Sequence, residues 1–259
     1  MGIDRRKKRI PRKSARILVV GAGGLGSPVL SCLARASVRV LGVADGDTVE
    51  LSNLHRQVMH TSLGQGRPKT DSAEEYLRNS GFTGRIEKHA FRLDLENILG
   101  IVSSYDVIVD ASDTFRSKFM INDACVLTGR PLVHAGIVGF EGQLMSVLPG
   151  ETACVRCLFD TPPPPETVKT CREIGVLGPA VGMLGAIQAA EALKIIDGKK
   201  GLVADCVLLL DARRMQFRTV PVRRDENCPL CGSDPTITSI SAGNYPALTQ
   251  PGPEGAQTH

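Results

Sequence analysis

Two pairs of cysteines carry the clearest chemistry in this chain. Cys154 and Cys157 flank Val-Arg, and Cys228 and Cys231 flank Pro-Leu. A CxxC turn aims two thiolates at one point, and two such turns complete a tetrahedral four-sulfur site for zinc. Sulfur then fills every coordination position, which leaves no place for water and makes the metal structural. Because the pairs lie far apart in sequence, they predict a clasp that joins distant parts of one domain rather than a self-contained finger. Cys171 stands apart, with Lys169 and Arg172 beside it. Basic neighbours favour the thiolate, so Cys171 is either a nucleophile or a passive loop thiol. Cys32, Cys125 and Cys206 lie within apolar patterns and read as core residues, and the five histidines show no ligand spacing.

A second chemistry begins at Gly21-Ala-Gly-Gly-Leu-Gly26. Gly21, Gly23, Gly24 and Gly26 let backbone N–H groups approach a phosphate at a helix N-terminus. Asp45, at the end of the next apolar run, is suited to ribose hydroxyls, with Asp47 beside it. To this point a dehydrogenase using NAD and an enzyme using ATP fit equally. Asn53, Arg56, Gln57 and Lys69 then follow the ribose-binding strand. A dinucleotide needs two phosphates cradled mainly by backbone, whereas a triphosphate attacked at its α-phosphorus needs fixed cations and a metal ion against the leaving pyrophosphate. Asp113, after the run ending at Asp110, is placed to hold Mg²⁺. Taken singly, Arg56 and Lys69 read equally well as surface charges, and Asp113 as the N-cap of a helix over 115–122. Taken together, they favour ATP.

These residues need elements to bring them together. The segment 16–20 is a β-branched strand that runs into the glycine turn, residues 27–36 form a helix with Pro28 in its first turn, and 38–44 is a second strand. That is a βαβ unit with parallel strands. Further strands are expected at 106–110, 132–135, 140–148, 203–210 and 215–222, and helices at 69–78 and 178–197. The fold class is α/β: a doubly wound, mostly parallel, Rossmann-like sheet with a zinc-clasped, mixed or antiparallel C-terminal extension. Open sheets of this kind bind ligands beyond the carboxyl ends of their strands, which collects the glycine turn, Asp45, Asp47 and residues 111–114 in one crevice. Four consecutive prolines at 162–165 begin a crossover loop over about 158–178 that carries Cys171.

Composition narrows the remaining choices. The 259 residues, 42% of them hydrophobic, suffice for one large domain, taken here as 15–234. Residues 1–13 hold seven Lys/Arg against one Asp, so the net charge of +4 comes from a basic, flexible tail over 1–14, while the body is slightly acidic. Ten aromatics with no Trp argue against base stacking, so nucleic acid is not the expected partner. The basic start lacks a following apolar run, and 176–196 is interrupted by Gln188, Glu191 and Lys194, so neither a secretory signal nor a bilayer span is read. A cytoplasmic protein follows. Residues 235–259, rich in Pro, Gly, Ser and Thr, are expected to be disordered.

In this order the motifs resemble the ThiF/MoeB/HesA family, bacterial relatives of ubiquitin-activating enzymes. The resemblance runs from about Arg16 to Gly232 through Gly21-Ala-Gly-Gly-Leu-Gly-Ser-Pro28, Asp45-Gly-Asp47, Leu51-Ser-Asn-Leu-His-Arg-Gln57, Arg67-Pro-Lys69, Asp110-Ala-Ser-Asp113, both CxxC turns and Gly175-Val-Leu-Gly-Pro179. It implies a homodimeric adenylyltransferase that uses ATP and Mg²⁺ on the C-terminal carboxylate of a small β-grasp carrier protein ending in Gly-Gly, preparing it for thiocarboxylate formation. It also implies that Asn53, Arg56 and Lys69 contact phosphates, that Asp113 binds Mg²⁺, and that Cys171 is the family's reactive cysteine. Two departures stand out. The family's N-terminal Arg-Tyr-Ser-Arg-Gln stretch is missing, with Arg5, Arg6, Arg9 and Arg12 in its place, and Thr114 follows Asp113 where Asn is common. No rhodanese-like extension is seen, so a separate sulfur donor is implied. Besides the carrier protein, the residues leave open adenylation of a small-molecule carboxylic acid, a dehydrogenase, and a non-catalytic zinc- and nucleotide-binding scaffold.

Overall fold

The computed structural model describes residues 9–163, 174–199 and 201–245. They form one eight-stranded sheet, ordered β3-β2-β1-β4-β5-β6-β7-β8. The strands are β1 (Arg16–Val20), β2 (Val40–Ala44), β3 (Arg85–His89), β4 (Val107–Asp110), β5 (Leu132–Val138), β6 (Glu141–Val147), β7 (Cys206–Asp211) and β8 (Gln216–Pro221). The first five in the chain pair in parallel, and β5 through β8 pair antiparallel. Among the described residues, six α-helices complete the layers: α1 (Gly26–Ala34), α2 (Lys69–Asn79), α3 (Ile98–Ser103), α4 (Phe115–Thr128), α5 (Val155–Leu158) and α6 (Gly178–Ile196). The mixed doubly wound sheet expected from the sequence is therefore the observed one.

Strand alternation builds two cores, because successive side chains leave a strand on opposite faces. Ile17, Val19, Val107, Val109 and Val133 face α1, α2 and α6. Leu18, Val20, Ile108 and Leu132 face α3, α4 and the segment bearing the cysteine pairs. Helix α6 is long and apolar enough to be weighed as a bilayer span. Instead it packs against α1, β4, β5 and β6, and its polar residues are spent inside the fold. Gln188 donates to the Asp110 carbonyl at 2.8 Å, while Glu191 accepts from Ser146 Oγ at 2.9 Å and from the Val203 amide at 2.7 Å.

Several boundaries differ from the sequence reading. Strand β3 was not anticipated: it carries Arg, Glu, Lys and His around a single apolar Ile86, a pattern suited to a sheet edge. The basic tail is fixed earlier than residue 14, since Arg12 forms a bidentate pair with Asp197 at 3.0 and 2.7 Å and the Ile10 amide donates to the Ile196 carbonyl. At the other end, residues 235–245 are not loose. The Ile237 amide donates to Pro229, and Tyr245, 2% exposed, donates its hydroxyl to Asp123 at 2.8 Å. Two apolar anchors suffice where average composition suggests a polar tail. Residues 1–8 and 246–259 lie outside the described residues. Cys125 is a core residue as read, but Cys32 is exposed and Cys206 half-buried.

The buried ion pair of Arg156 with Asp123 ties the cysteine region to α4. Arg156 reaches both carboxylate oxygens, at 2.8 and 2.7 Å, and its guanidinium lies over Phe119, 5.1 Å from the ring centroid. Removing one partner of such a pair strands the other charge in a dry environment. Arg156→Ala is accordingly expected to destabilise the metal-replete protein by about 3–5 kcal/mol, read from urea unfolding; a loss under 1 kcal/mol contradicts this account.

Candidate active site at the carboxyl ends of the central strands

The crevice opens between β1 and β4, where the strand order reverses. Gly21 adopts φ +101°, and its amide donates to the Ala44 carbonyl at 2.7 Å. A Cβ on Gly21 would meet the Ala111 carbonyl oxygen at 2.5 Å, and one on Gly26 would sit 1.9 Å from the Gly21 carbonyl oxygen. Only glycine permits this turn, which brings the start of α1 against the end of β4. Gly23 faces the amide of buried Gln57, and Gly24 faces the Arg56 stem.

The acids that follow have separate roles. Both Asp45 oxygens take backbone amides, of Ala22 at 2.7 Å and of Asp47 at 2.8 Å, so Asp45 organises the turn. Asp47 is the carboxylate that pairs with cations. Lys69 Nζ reaches it at 3.2 Å and Arg92 at 2.8 Å. Partial burial opposes its charge, but Arg92 and Lys69 outweigh that, and its carboxyl is held below the usual range. Lys69 opens α2 and is nearly buried, with its own amide bonded to the Asp47 carbonyl at 2.9 Å. The 51–57 segment coils so that Arg56 donates to Asn53 Oδ1 at 2.7 Å, and the amide of Gln57 donates to the Asn53 carbonyl. Sequence reasoning missed Arg92, because β3 itself left no apolar signal.

Across the crevice, Asp113 is exposed and makes no hydrogen bond or ion pair among the described residues. It is near enough to Arg92 to help raise that guanidinium's pKa, though less than Asp47 does through its hydrogen bond. The helix cap is Thr114, whose Oγ1 accepts from the Ser117 amide at 3.2 Å. Asp113 is thus left free of capping and open to a cation. Beneath it lies a buried cluster with no sequence signature. Asp110 accepts from His134 Nδ1 at 2.8 Å, Lys118 at 3.3 Å and Ser112 Oγ at 2.6 Å. Burial works against the Asp110 charge, but Lys118 and His134 prevail and hold its carboxyl well below the usual range. His60, likewise unremarked in the sequence, is buried behind the glycine turn, bonded to the Ala22 carbonyl at 2.8 Å and to Ser72 Oγ at 2.9 Å.

The four cysteines of the paired turns converge as the spacing requires. Their sulfurs all lie within 4.8 Å of one another, with separations of 3.9 Å for Cys154–Cys157, 3.7 Å for Cys154–Cys228 and 3.4 Å for Cys157–Cys231. A tetrahedral ion with bonds of about 2.3 Å to sulfur places its ligands about 3.8 Å apart, so the cluster has the dimensions to hold a metal. The cluster packs against α4, away from the crevice, which suits a structural role. Cys171, the remaining candidate, lies outside the described residues. Arg12, one of the arginines standing where the family's N-terminal stretch is missing, is occupied by Asp197 at the far end of α6.

Burial holds the imidazoles of His60 and His134 below the ordinary histidine value, against the hydrogen bond to the Ala22 carbonyl on the first and the pull of Asp110 on the second, with Lys69 and Lys118 adding to the depression. Each takes up a proton less readily in the folded chain than in the unfolded one. Stability from this source is therefore complete above about pH 6.5 and falls as pH drops below it. The urea midpoint is expected to be flat between pH 7 and 8 and to decline towards pH 5; a midpoint that rises over that range contradicts the assignment.

Comparison with known proteins shows what the chain as a whole is similar to. Residues 6–230 match the ThiF family. The chain is 46% identical to the sulfur carrier protein adenylyltransferase of Thermus thermophilus, over 86% of this chain and 84% of the relative. It is 43% identical to the SAMP-activating enzyme E1 of Haloferax volcanii, over 85% and 81%. The match to adenylyltransferase and sulfurtransferase MOCS3 of Danio rerio, 43% identical, covers 90% of this chain but 51% of that protein, so the chain spans about half the length of such relatives. Among solved structures, E. coli MccB bound to MccA-N7isoASN superposes with a TM-score of 0.76 at 22% identity, over 86% of this chain and 68% of that one, a likeness of fold. The match to the family model over residues 6–230, with relatives 46% and 43% identical covered over 84% and 81% of their length, places this chain in the ThiF family.

Proposed function

We propose that this chain adenylates the C-terminal carboxylate of a small β-grasp carrier protein ending in Gly-Gly, using ATP and Mg²⁺, and so prepares the carrier for thiocarboxylate formation. The observation that carries the reading is a glycine turn with the Arg56 stem beside Gly24, packed at Gly21 against Ala111 and Ser112, the residues that lead into uncommitted Asp113, with Lys69 paired to Asp47 after the next strand. The relative named a sulfur carrier protein adenylyltransferase, matched over most of its length, supports the substrate class.

The residues present fit a nucleotide. Gln57 Oε1 is buried without a partner beside Gly23, where a donor from a ligand would satisfy it. Asp45, at the end of β2, is placed to receive ribose hydroxyls on the lone pairs that the Ala22 and Asp47 amides leave open, with Asp47 beside it held by Lys69 and Arg92. The reacting carboxylate is already ionised at pH 7, so no general base is required. Its oxygen bonds to the α-phosphorus, the bond from that phosphorus to the bridging oxygen breaks, and pyrophosphate leaves with the electron pair. Arg56 and Lys69 offset the charge gathering on the leaving group, and the crevice supplies alignment. Mg²⁺ held by Asp113 would neutralise phosphate charge.

The four thiolates hold structural Zn²⁺, and the enzyme acts as a homodimer. Cys171 is read as the nucleophile that engages the activated carrier, and the sulfur comes from a separate donor protein. Seven cysteines, none of them in a disulfide among the described residues, suit a reducing compartment, hence the cytoplasm.

The test is ATP–pyrophosphate exchange by the purified, zinc-replete protein with and without Gly-Gly-tailed β-grasp proteins. Carrier-dependent exchange is expected, together with stabilisation by ATP·Mg²⁺ and none by NAD(H). Exchange that needs only a small carboxylic acid, or none with any carrier, overturns the reading. Lys69→Ala and Asp113→Ala should each lower exchange by about 10²–10³-fold while the protein stays folded. Metal analysis should return one zinc per chain, lost in Cys228→Ser, and Cys171→Ala should retain exchange but lose thiocarboxylate formation.

A further inference from the structure

The Ala22 peptides are gripped from two sides. The Ala22 amide donates to Asp45, and the Ala22 carbonyl accepts from His60 Nε2 at 2.8 Å. A carbonyl can only accept, so Nε2 carries the proton, and the Ser72 hydroxyl then donates to Nδ1 at 2.9 Å. Ser72 lies in α2, one turn beyond Lys69. The Ala22 carbonyl and the Gly23 N–H belong to one planar trans peptide and point in opposite directions. With the carbonyl held towards buried His60, the Gly23 N–H is turned away from it, and that N–H has no hydrogen-bond partner among the described residues.

We infer that His60 is a positioning residue for nucleotide binding: it aims the Gly23 N–H into the crevice and, through Ser72, locks the glycine turn to the helix that presents Lys69. This rests on the ATP reading above and deepens it. Loss of the imidazole would leave the Ala22 carbonyl unpaired and free the peptide to rotate, while the chemistry of the bound substrate would be untouched. The expected signature is weaker ATP binding with little change at saturation, since the interaction serves ground state and transition state alike.

The experiment compares the wild type with His60→Gln, which retains an N–H at the reach of Nε2, and His60→Phe, which fills the space without a donor. ATP·Mg²⁺ affinity is read by calorimetry, and KM for ATP and kcat by carrier-dependent pyrophosphate exchange. His60→Phe should raise Kd and KM about tenfold, the equivalent of one lost hydrogen bond, with kcat within about twofold. His60→Gln should return both to within about threefold of wild type. A folded His60→Phe protein with unchanged KM, or Gln and Phe variants equally impaired, overturns the inference. Should His60→Phe fail to fold, Ser72→Ala takes its place: a KM raised about threefold at wild-type melting temperature supports the inference, and an unchanged KM overturns it. A wild-type protein that binds no ATP·Mg²⁺ overturns the proposed function, and this inference with it, which separates that failure from the others.

Discussion

The glycine turn after β1 leaves no room for a side chain, and much else follows from that. With a Gly26 Cβ position 1.9 Å from the Gly21 carbonyl oxygen, the chain can enter α1 only by folding tightly back over the sheet. That path sets α1 beside α6 on one face and leaves the opposite face to α3 and α4. It also brings the turn against Ala111, so the loops after β1 and β4 meet at the point where the sheet reverses its order. The crevice is thus a product of backbone sterics before any charged side chain enters it.

Helix α4 joins that crevice to the cysteine clasp. Thr114 caps it, which leaves Asp113 uncommitted at one end. Two turns on, Asn122 accepts from the Val155 amide at 3.0 Å and Asp123 holds Arg156, tying α4 to the short helix α5, which carries Cys157 and is capped by Cys154. Arg156 is 2% exposed, a burial a lone guanidinium would not tolerate. Its bidentate partner and two aromatic rings make the charge acceptable and fix the angle between clasp and helix.

Parts of this architecture that rest on local pattern were legible in the sequence. The β-branched run before Gly21 reads as a buried strand, and the matched CxxC turns read as a four-sulfur cluster because geometry at each turn is local. What depends on distant partners was hidden. His134 and Lys118 look like ordinary residues until the sheet brings them to Asp110. Asp45 and Asp47 are indistinguishable by type, and only the fold shows that one ties down backbone while the other faces Lys69 and Arg92. Tyr245 sits in a polar tail whose average composition conceals a single well-placed anchor.

The clasp closes a loop from Cys157 to Cys228 that contains α6 and both C-terminal strands. Its sulfurs come together only after those elements have docked, so no metal site of this geometry exists in the unfolded chain. Metal affinity and folding would then be one linked equilibrium. An ion bound there would stabilise the folded chain by mass action, and the population of folded chains would then track its free concentration.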